Sequence, residues 1–165
     1  MPVTTRIEEV RNEVSVLAQT AATAKDLMQG VCKLLHERML KYNWVGFYML
    51  EPGAKPPMLV LEVFLGAMTP HTRIPLNQGI CGAAASSGKT IVVDDVSKDP
   101  RYLACSLETK SEIVVPIFVK KEVAGELDVD SHFAAAFGAE DQVLVQYCAE
   151  VVGAKLEKAK QAMST

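Results

Sequence analysis

Apolar positions along the chain follow a helical period at both ends and a strand period in between. Stripes with three- or four-residue spacing cover residues 10–17 and 27–39, with an interruption at 20–23. This spacing predicts two helices, or one kinked helix, over the N-terminal part of the chain. The same period over 139–162 predicts a long amphipathic helix at the other end.

Aromatic, β-branched and other apolar residues dominate several short segments of the central part. These segments predict strands at 44–50, 58–65, 91–93, 113–119 and 123–129. The last two strands alternate and predict a hairpin whose loop is residues 120–122. Residues 79–87 begin with glycine and predict a short helix, whereas 66–78 and 94–111 have no clear period.

This order of helices, antiparallel strands and a final helix predicts an α+β fold. We expect the terminal helices to pack on one face of the sheet, which leaves the other face for a pocket. The chain has 165 residues, of which 49% are hydrophobic and 22% charged, as in ordinary globular proteins. We therefore expect a single domain over residues 1–165.

Charge and cysteine content narrow the function classes. A net charge of −3 argues against a broad nucleic-acid-binding surface, and no apolar run is long enough to span a membrane. The N-terminal residues lack the apolar core of a signal peptide. Four cysteines without a CxxC pair argue against a secreted disulfide scaffold, so we expect a cytoplasmic protein.

Two of the four cysteines are candidates for chemistry. Cys81 lies at the start of the predicted 79–87 helix, where backbone N–H groups and the helix dipole favour a thiolate. Cys105 lies in the segment 94–111, which is expected to be a long loop, and exposure in a loop favours reaction of a thiol. Alternatively, Cys81 packs a tight turn and Cys105 is an inert loop thiol. Cys32 and Cys148 share apolar helix faces and are expected in the core.

Three carboxylates alternate along the last predicted strand. The two-residue period places Glu126, Asp128 and Asp130 on one face. A three-residue hairpin loop sets Glu112 opposite Asp130 on that face, whereas a two-residue loop sends Glu112 to the other face. Such a cluster needs a bound cation or a shared proton, unless it is simply a solvated polar face.

Aromatic residues and a histidine complete the candidate set. Trp44 and Tyr48 lie four positions apart on one strand face, as a ligand wall or as ordinary core packing. His71 follows a proline and is expected at the surface. A zinc site of Cys81, Cys105 and His71 matches no standard spacing, so no metal or other cofactor is predicted.

The motifs of the central part resemble one protein family. The segments NWVGFYML, GICGAAA, LACS, SEIVVPIFV and GELDVDS, followed by FAAAFGAED, occur in order between residues 43 and 141. In this they resemble the free methionine-(R)-sulfoxide reductases, which are small proteins with a single GAF domain. The pairing of SEIVVP with G-x-LDVDS is more specific than a general GAF pattern.

The resemblance implies a fold, an activity and a set of residues. The fold has a six-stranded antiparallel sheet with the terminal helices on its back. The activity is reduction of free methionine R-sulfoxide with electrons from thioredoxin, in a possible homodimer, through a cysteine sulfenic acid and a disulfide. Cys105 matches the family's nucleophile, and Cys81 matches the cysteine of its glycine turn. The pocket carboxylates of the family correspond to Glu112, Asp128 and Asp130, and its pocket aromatics to Trp44 and Tyr48.

Two positions depart from the family pattern. His71 stands where members commonly have a cysteine that closes a disulfide with the loop cysteine. Either Cys81 resolves the sulfenic acid instead, or an external thiol does, or the activity is weakened. Glu126 replaces an apolar residue and adds a negative charge to the pocket strand. The alternative functions are a non-catalytic GAF domain that binds an amine-bearing ligand, and a thiol redox sensor.

Overall fold

The structure is a computed structural model that describes residues 3–103 and 107–164. Within them the chain forms four α-helices, a short 3₁₀ helix at Val96–Lys98 and six strands. The helices are α1 (Val3–Thr20), α2 (Ala24–Arg38), α3 (Gly79–Ser87) and α4 (Ala139–Ser164). The strands are β1 (Trp44–Leu50), β2 (Met58–Leu65), β3 (Arg73–Pro75), β4 (Ile91–Val93), β5 (Ser111–Val119) and β6 (Glu122–Ser131).

Most of these elements match the sequence predictions. The bounds of β1, β2, α3 and β4 are confirmed, and the interruption near residues 20–23 separates α1 from α2. Strand β3 was not predicted, because it has three residues and ends in a proline. Proline is tolerated there because β3 is the edge strand and pairs only with β2.

The six strands form one antiparallel sheet in the order β3-β2-β1-β6-β5-β4. Strands β1 and β6 therefore lie at its centre, each hydrogen-bonded on both edges. Side chains alternate across these strands, so each strand supplies one set of residues to each face. The two faces are covered by different helices.

Helices α1, α2 and α4 cover one face of the sheet, as predicted for the terminal helices. Their apolar stripes bury Val10, Leu35 and Leu144 against Phe47 and Leu127 of the central strands. The predicted core positions Cys32 and Cys148 are fully buried in the same cluster. None of the helices in the described part of the chain combines the length and apolar character needed to cross a lipid bilayer.

Helix α3 packs on the opposite face with a smaller apolar cluster. Ile80, Cys81 and Ala84 of this helix meet Tyr48 and Val114 of the sheet. Between them lie the buried polar residues of β5 and β6. The face that the sequence predicts to be free for a pocket is therefore covered by α3.

The β5–β6 hairpin has the predicted register but reaches it by another route. Its loop has two residues, Lys120 and Lys121, both with positive φ as in a tight hairpin turn. On its own this loop would turn Glu112 away from Asp130. A β-bulge intervenes, because Ile117 pairs with Gly125 while Phe118 pairs with Val123, which leaves Ala124 unpaired. The bulge restores the pairing of Glu112 with Asp130.

Helix α4 lies close to the backbone of β5 at Gly153. A Cβ atom added there would stand 2.5 Å from the carbonyl oxygen of Phe118. This oxygen belongs to the main chain, so it cannot move aside by a change of side-chain rotamer. We expect Gly153→Ala to lower the free energy of unfolding by about 1–3 kcal/mol, because overpacking outweighs the better helix propensity of alanine. Denaturant unfolding measures this, with Ala154→Ser at the exposed neighbouring position as the control. Equal stability of the two variants would contradict the close approach.

Candidate active site

Four carboxylates meet under α3 on the pocket face of the sheet. Glu112 pairs across the hairpin with Asp130, and Val114 pairs with Asp128, as the register predicts. Glu126 lies further along the same face of β6, between Tyr48 of β1 and Pro116 of β5. All four acidic side chains are at most 3% exposed. The alternative of a solvated polar face is therefore wrong.

The thiol of Cys81 points into this cluster. Cys81 is the third residue of α3, and its Sγ donates a hydrogen bond of 3.4 Å to Oδ2 of Asp128. Burial, followed by the charges of Asp128, Glu126 and Glu112, raises the pKa of the thiol well above its ordinary value. The thiolate expected from the helix N-terminus is thus not favoured, because desolvation and nearby acids outweigh the helix dipole.

The acidic side chains also have raised pKa values. Burial is the main cause for each of them. Next come the neighbouring charges of Asp128 for Glu112, of Asp130 for Asp128 and of Glu112 for Asp130. For Glu126, interaction with the Cys81 thiol works in the opposite direction. Burial and mutual repulsion therefore favour the protonated forms of these acids unless a cation lies beside them.

Several oxygens of the cluster have no hydrogen-bond partner within the described residues. These buried, unpartnered atoms are both carboxyl oxygens of Glu126, Oδ1 of Asp128 and Oδ1 of Asp130. Leaving a buried polar group unsatisfied costs about 1–3 kcal/mol, and more for a charged one. Such oxygens are typical of a binding site that a ligand completes.

Trp44 and Tyr48 lie together on one face of β1 beside the acidic cluster, as their spacing predicts. Their ring centroids are 6.3 Å apart, and Trp44 also stacks on Phe64 at 5.7 Å. The indole lies flat across Gly46, where an added Cβ would stand 2.3 Å from the ring. Its Nε1 donates to the carbonyl of Ala67 at 3.0 Å. These contacts show that the tryptophan is packed in the smaller apolar cluster, and its role as a wall for a ligand stays a prediction.

His71 is half-buried beside these aromatic residues rather than at the open surface. Its carbonyl oxygen accepts a 2.7 Å hydrogen bond from the Tyr48 hydroxyl, and its backbone N–H donates to Oγ1 of Thr69. Position 71 is thus tied to Tyr48 through its main chain. This linkage does not depend on whether the side chain is an imidazole or a thiol.

Two small cavities open along the acidic cluster. One of about 50 Å³ is lined by Trp44, Thr69, Thr109, Asp130 and His132, among others. Another of about 10 Å³ is lined by Tyr48, Cys81, Leu103, Glu112 and Asp128, among others. Together they offer room for roughly one to three water molecules.

The chain resembles proteins of one family in sequence and in structure. The family model described as GAF domain matches residues 23–156. The free methionine-R-sulfoxide reductase of Escherichia coli strain K12 is 37% identical over 130 residues, which are 79% of this chain and 71% of that protein. The chain belongs to the free methionine-R-sulfoxide reductase family of GAF-domain proteins.

Solved structures agree with this assignment. A free methionine-R-sulfoxide reductase from Neisseria meningitidis, in complex with its substrate, is 31% identical with a TM-score of 0.90. The alignment covers 98% of this chain and 95% of that one. A type II free methionine-R-sulfoxide reductase from Thermoplasma acidophilum is 39% identical with a TM-score of 0.76, over 86% and 96% of the chains. The predicted family, its oxidoreductase class and its GAF fold are confirmed.

The family's loop cysteine, Cys105, lies outside the described residues. Its neighbours on both sides reach the cavities: Leu103 lines the one at Cys81, and Thr109 lines the one at Trp44. Thr69, Thr109 and His132 also line the cavity at Trp44, and no sequence pattern predicts them there. They lie in loops without a period and become neighbours only through the fold, so no spacing signal marks them.

The burial of Glu126 makes a prediction about stability. An acid with a raised pKa in the folded state binds more protons there than in the unfolded chain, so stability falls as the pH rises above the ordinary value of 4.5. We expect Glu126→Gln to flatten this fall by up to about 1.4 kcal/mol per pH unit, the value for one proton.

Denaturant unfolding between pH 4.5 and 8 of the reduced protein checks this. The exposed Glu62 on β2 provides the matched control, and Glu62→Gln should keep the wild-type slope. An unchanged slope in Glu126→Gln would show that Glu126 titrates like an exposed acid.

Proposed function

We propose that this chain reduces free methionine R-sulfoxide to methionine. The observation that carries the proposal is the buried Cys81 thiol, 3.4 Å from Asp128, in an acidic cluster beside two aromatic rings. A thiol, proton-holding carboxyls and an apolar wall are the groups that a free amino-acid sulfoxide requires. The proposal is also supported by membership of a family whose relatives are named free methionine-R-sulfoxide reductases.

The acidic cluster selects a free amino acid. Its unpartnered oxygens on Asp128 and Asp130 are suited to the substrate's ammonium group, which a residue inside a peptide lacks. The indole of Trp44 packs on the methyl group of the sulfoxide. Because the two cavities together hold only a few waters, entry of the substrate requires their walls to move apart.

Cys105 is the proposed nucleophile. Burial and the surrounding acids keep Cys81 protonated, which disfavours it as the first attacking group. The Cys105 sulfur attacks the sulfoxide sulfur, and the oxygen passes to the cysteine as a sulfenic acid while methionine leaves. A carboxyl whose raised pKa keeps it protonated, such as Glu112, gives one proton to the sulfoxide oxygen, where it remains in the sulfenic acid. The thiol proton of Cys105 returns to that carboxylate, so the step consumes no net proton.

Cys81 is the proposed resolving thiol. It condenses with the sulfenic acid to form a disulfide and one water molecule. Asp128 accepts the thiol proton through the hydrogen bond already present. A dithiol reductant, which we propose is thioredoxin, then exchanges the disulfide back to two thiols. We further propose a cytoplasmic location and a homodimer.

The substrate assignment is tested by NADPH consumption coupled to thioredoxin and thioredoxin reductase. We expect turnover with free methionine R-sulfoxide, and none with the S epimer or with peptide-bound sulfoxide. Turnover with dithiothreitol but not with thioredoxin would mean that the nucleophile works and that thioredoxin does not reduce the oxidised protein. Absence of turnover with both reductants would favour a non-catalytic module, which calorimetry would show as binding of methionine sulfoxide without product.

The two cysteine roles make separate predictions. Cys105→Ser should abolish product formation, whereas Cys81→Ser should form one methionine per chain in a single burst and then stop with thioredoxin. Cys148→Ala removes a thiol in the opposite core and should retain full turnover. Quenched-flow measurement of methionine separates burst from steady state. Continued thioredoxin-supported turnover in Cys81→Ser would exclude Cys81 as the resolving thiol.

A further inference from the structure

Three ligand-type side chains converge on one atom-sized space in the site. Cys81 Sγ and carboxylate oxygens of Glu112 and Asp128 all lie within 4.8 Å of one another. The same three residues line the cavity of about 10 Å³. That volume is close to the smallest space that holds a single water or ion.

The spacing of these atoms suits a tetrahedral metal. Bonds of about 2.0 Å to oxygen and 2.3 Å to sulfur place neighbouring ligand atoms of a tetrahedral zinc site roughly 3.3–3.8 Å apart. The Cys81 Sγ to Asp128 Oδ2 distance is 3.4 Å, within that range. The remaining separations, which do not exceed 4.8 Å, have to shorten by about 1.5 Å at most.

A second observation points to a cation-binding site. Oδ1 of Asp128 and both oxygens of Glu126 are buried without a hydrogen-bond partner among the described residues. Glu126 interacts with the Cys81 thiol and adds negative charge directly beside the three ligand groups. A thiol among the ligands favours a borderline-soft ion such as Zn²⁺ over Mg²⁺ or Ca²⁺, which prefer oxygen alone.

We propose that Cys81, Glu112 and Asp128 form a Zn²⁺ site in the reduced protein, and that the bound ion excludes the sulfoxide substrate. The fourth position is left for water, as in zinc sites with three protein ligands. Binding converts the Cys81 thiol to a thiolate and releases its proton. A zinc-bound Cys81 cannot condense with a sulfenic acid, so the ion also protects this thiol from oxidation.

Binding is tested first, without substrate. We expect reduced protein titrated with ZnCl₂ in a calorimeter, without dithiothreitol, to bind one ion per chain, and MgCl₂ to give no heat of binding. Co²⁺ as a spectroscopic probe should give a sulfur-to-cobalt charge-transfer band. Cys81→Ser should remove the band and weaken zinc binding at least tenfold. Asp128→Asn should also weaken zinc binding at least tenfold, whereas Glu62→Gln should change neither the band nor the binding.

Circular dichroism confirms that the variants fold, and Asp128→Asn decides the site if Cys81→Ser does not fold. No band, or zinc binding unaffected by both substitutions, would overturn the site.

The exclusion claim rests on the proposed function and is tested separately. Single-turnover formation of methionine by the reduced protein, without thioredoxin, should slow at least tenfold with saturating Zn²⁺. Higher sulfoxide concentration or a chelator should restore it. Inhibition that excess substrate does not relieve would overturn the exclusion but not the site. A protein that forms no methionine even without zinc would contradict the proposed function, while the calorimetric and cobalt results still decide the zinc site.

Discussion

The pairing of β5 with β6 determines whether Glu112 faces the helical core or the pocket. A shift of one residue exchanges the two faces of a strand, because side chains alternate with a period of two. The two-residue Lys120–Lys121 loop alone would produce the wrong pairing, and the bulge at Ala124 corrects it. This register adds Glu112 to the three carboxylates that β6 already presents on the pocket face.

The register brings together groups that are unfavourable in isolation. Four acids are buried beside a thiol, and several of their oxygens lack a partner. The opposite face offsets this cost, because α1, α2 and α4 bury a continuous apolar core against the same central strands. The protein therefore places its main apolar core on one face of the sheet and the candidate active site on the other, where α3 positions Cys81.

Much of this arrangement follows from sequence pattern. Long periodic segments predicted the helices, and the alternation of Glu126, Asp128 and Asp130 predicted their common face. The hairpin loop was placed one residue too long, because an isolated bulge at Ala124 leaves no mark in the alternation. The ionisation of Cys81 could not be predicted either. Its place at a helix start suggests a thiolate, whereas the opposing burial and charges arise from distant segments.

We expect the buried acids Asp128 and Asp130 to hold protons that the ammonium group of the substrate displaces. Calorimetry of free methionine R-sulfoxide binding to Cys105→Ser, repeated at pH 7 in buffers of different ionisation enthalpy, measures this directly. Because an adjacent cation lowers the raised pKa values of Asp128 and Asp130, we expect net release of protons on binding. Binding with no proton exchange, or with proton uptake, would contradict it.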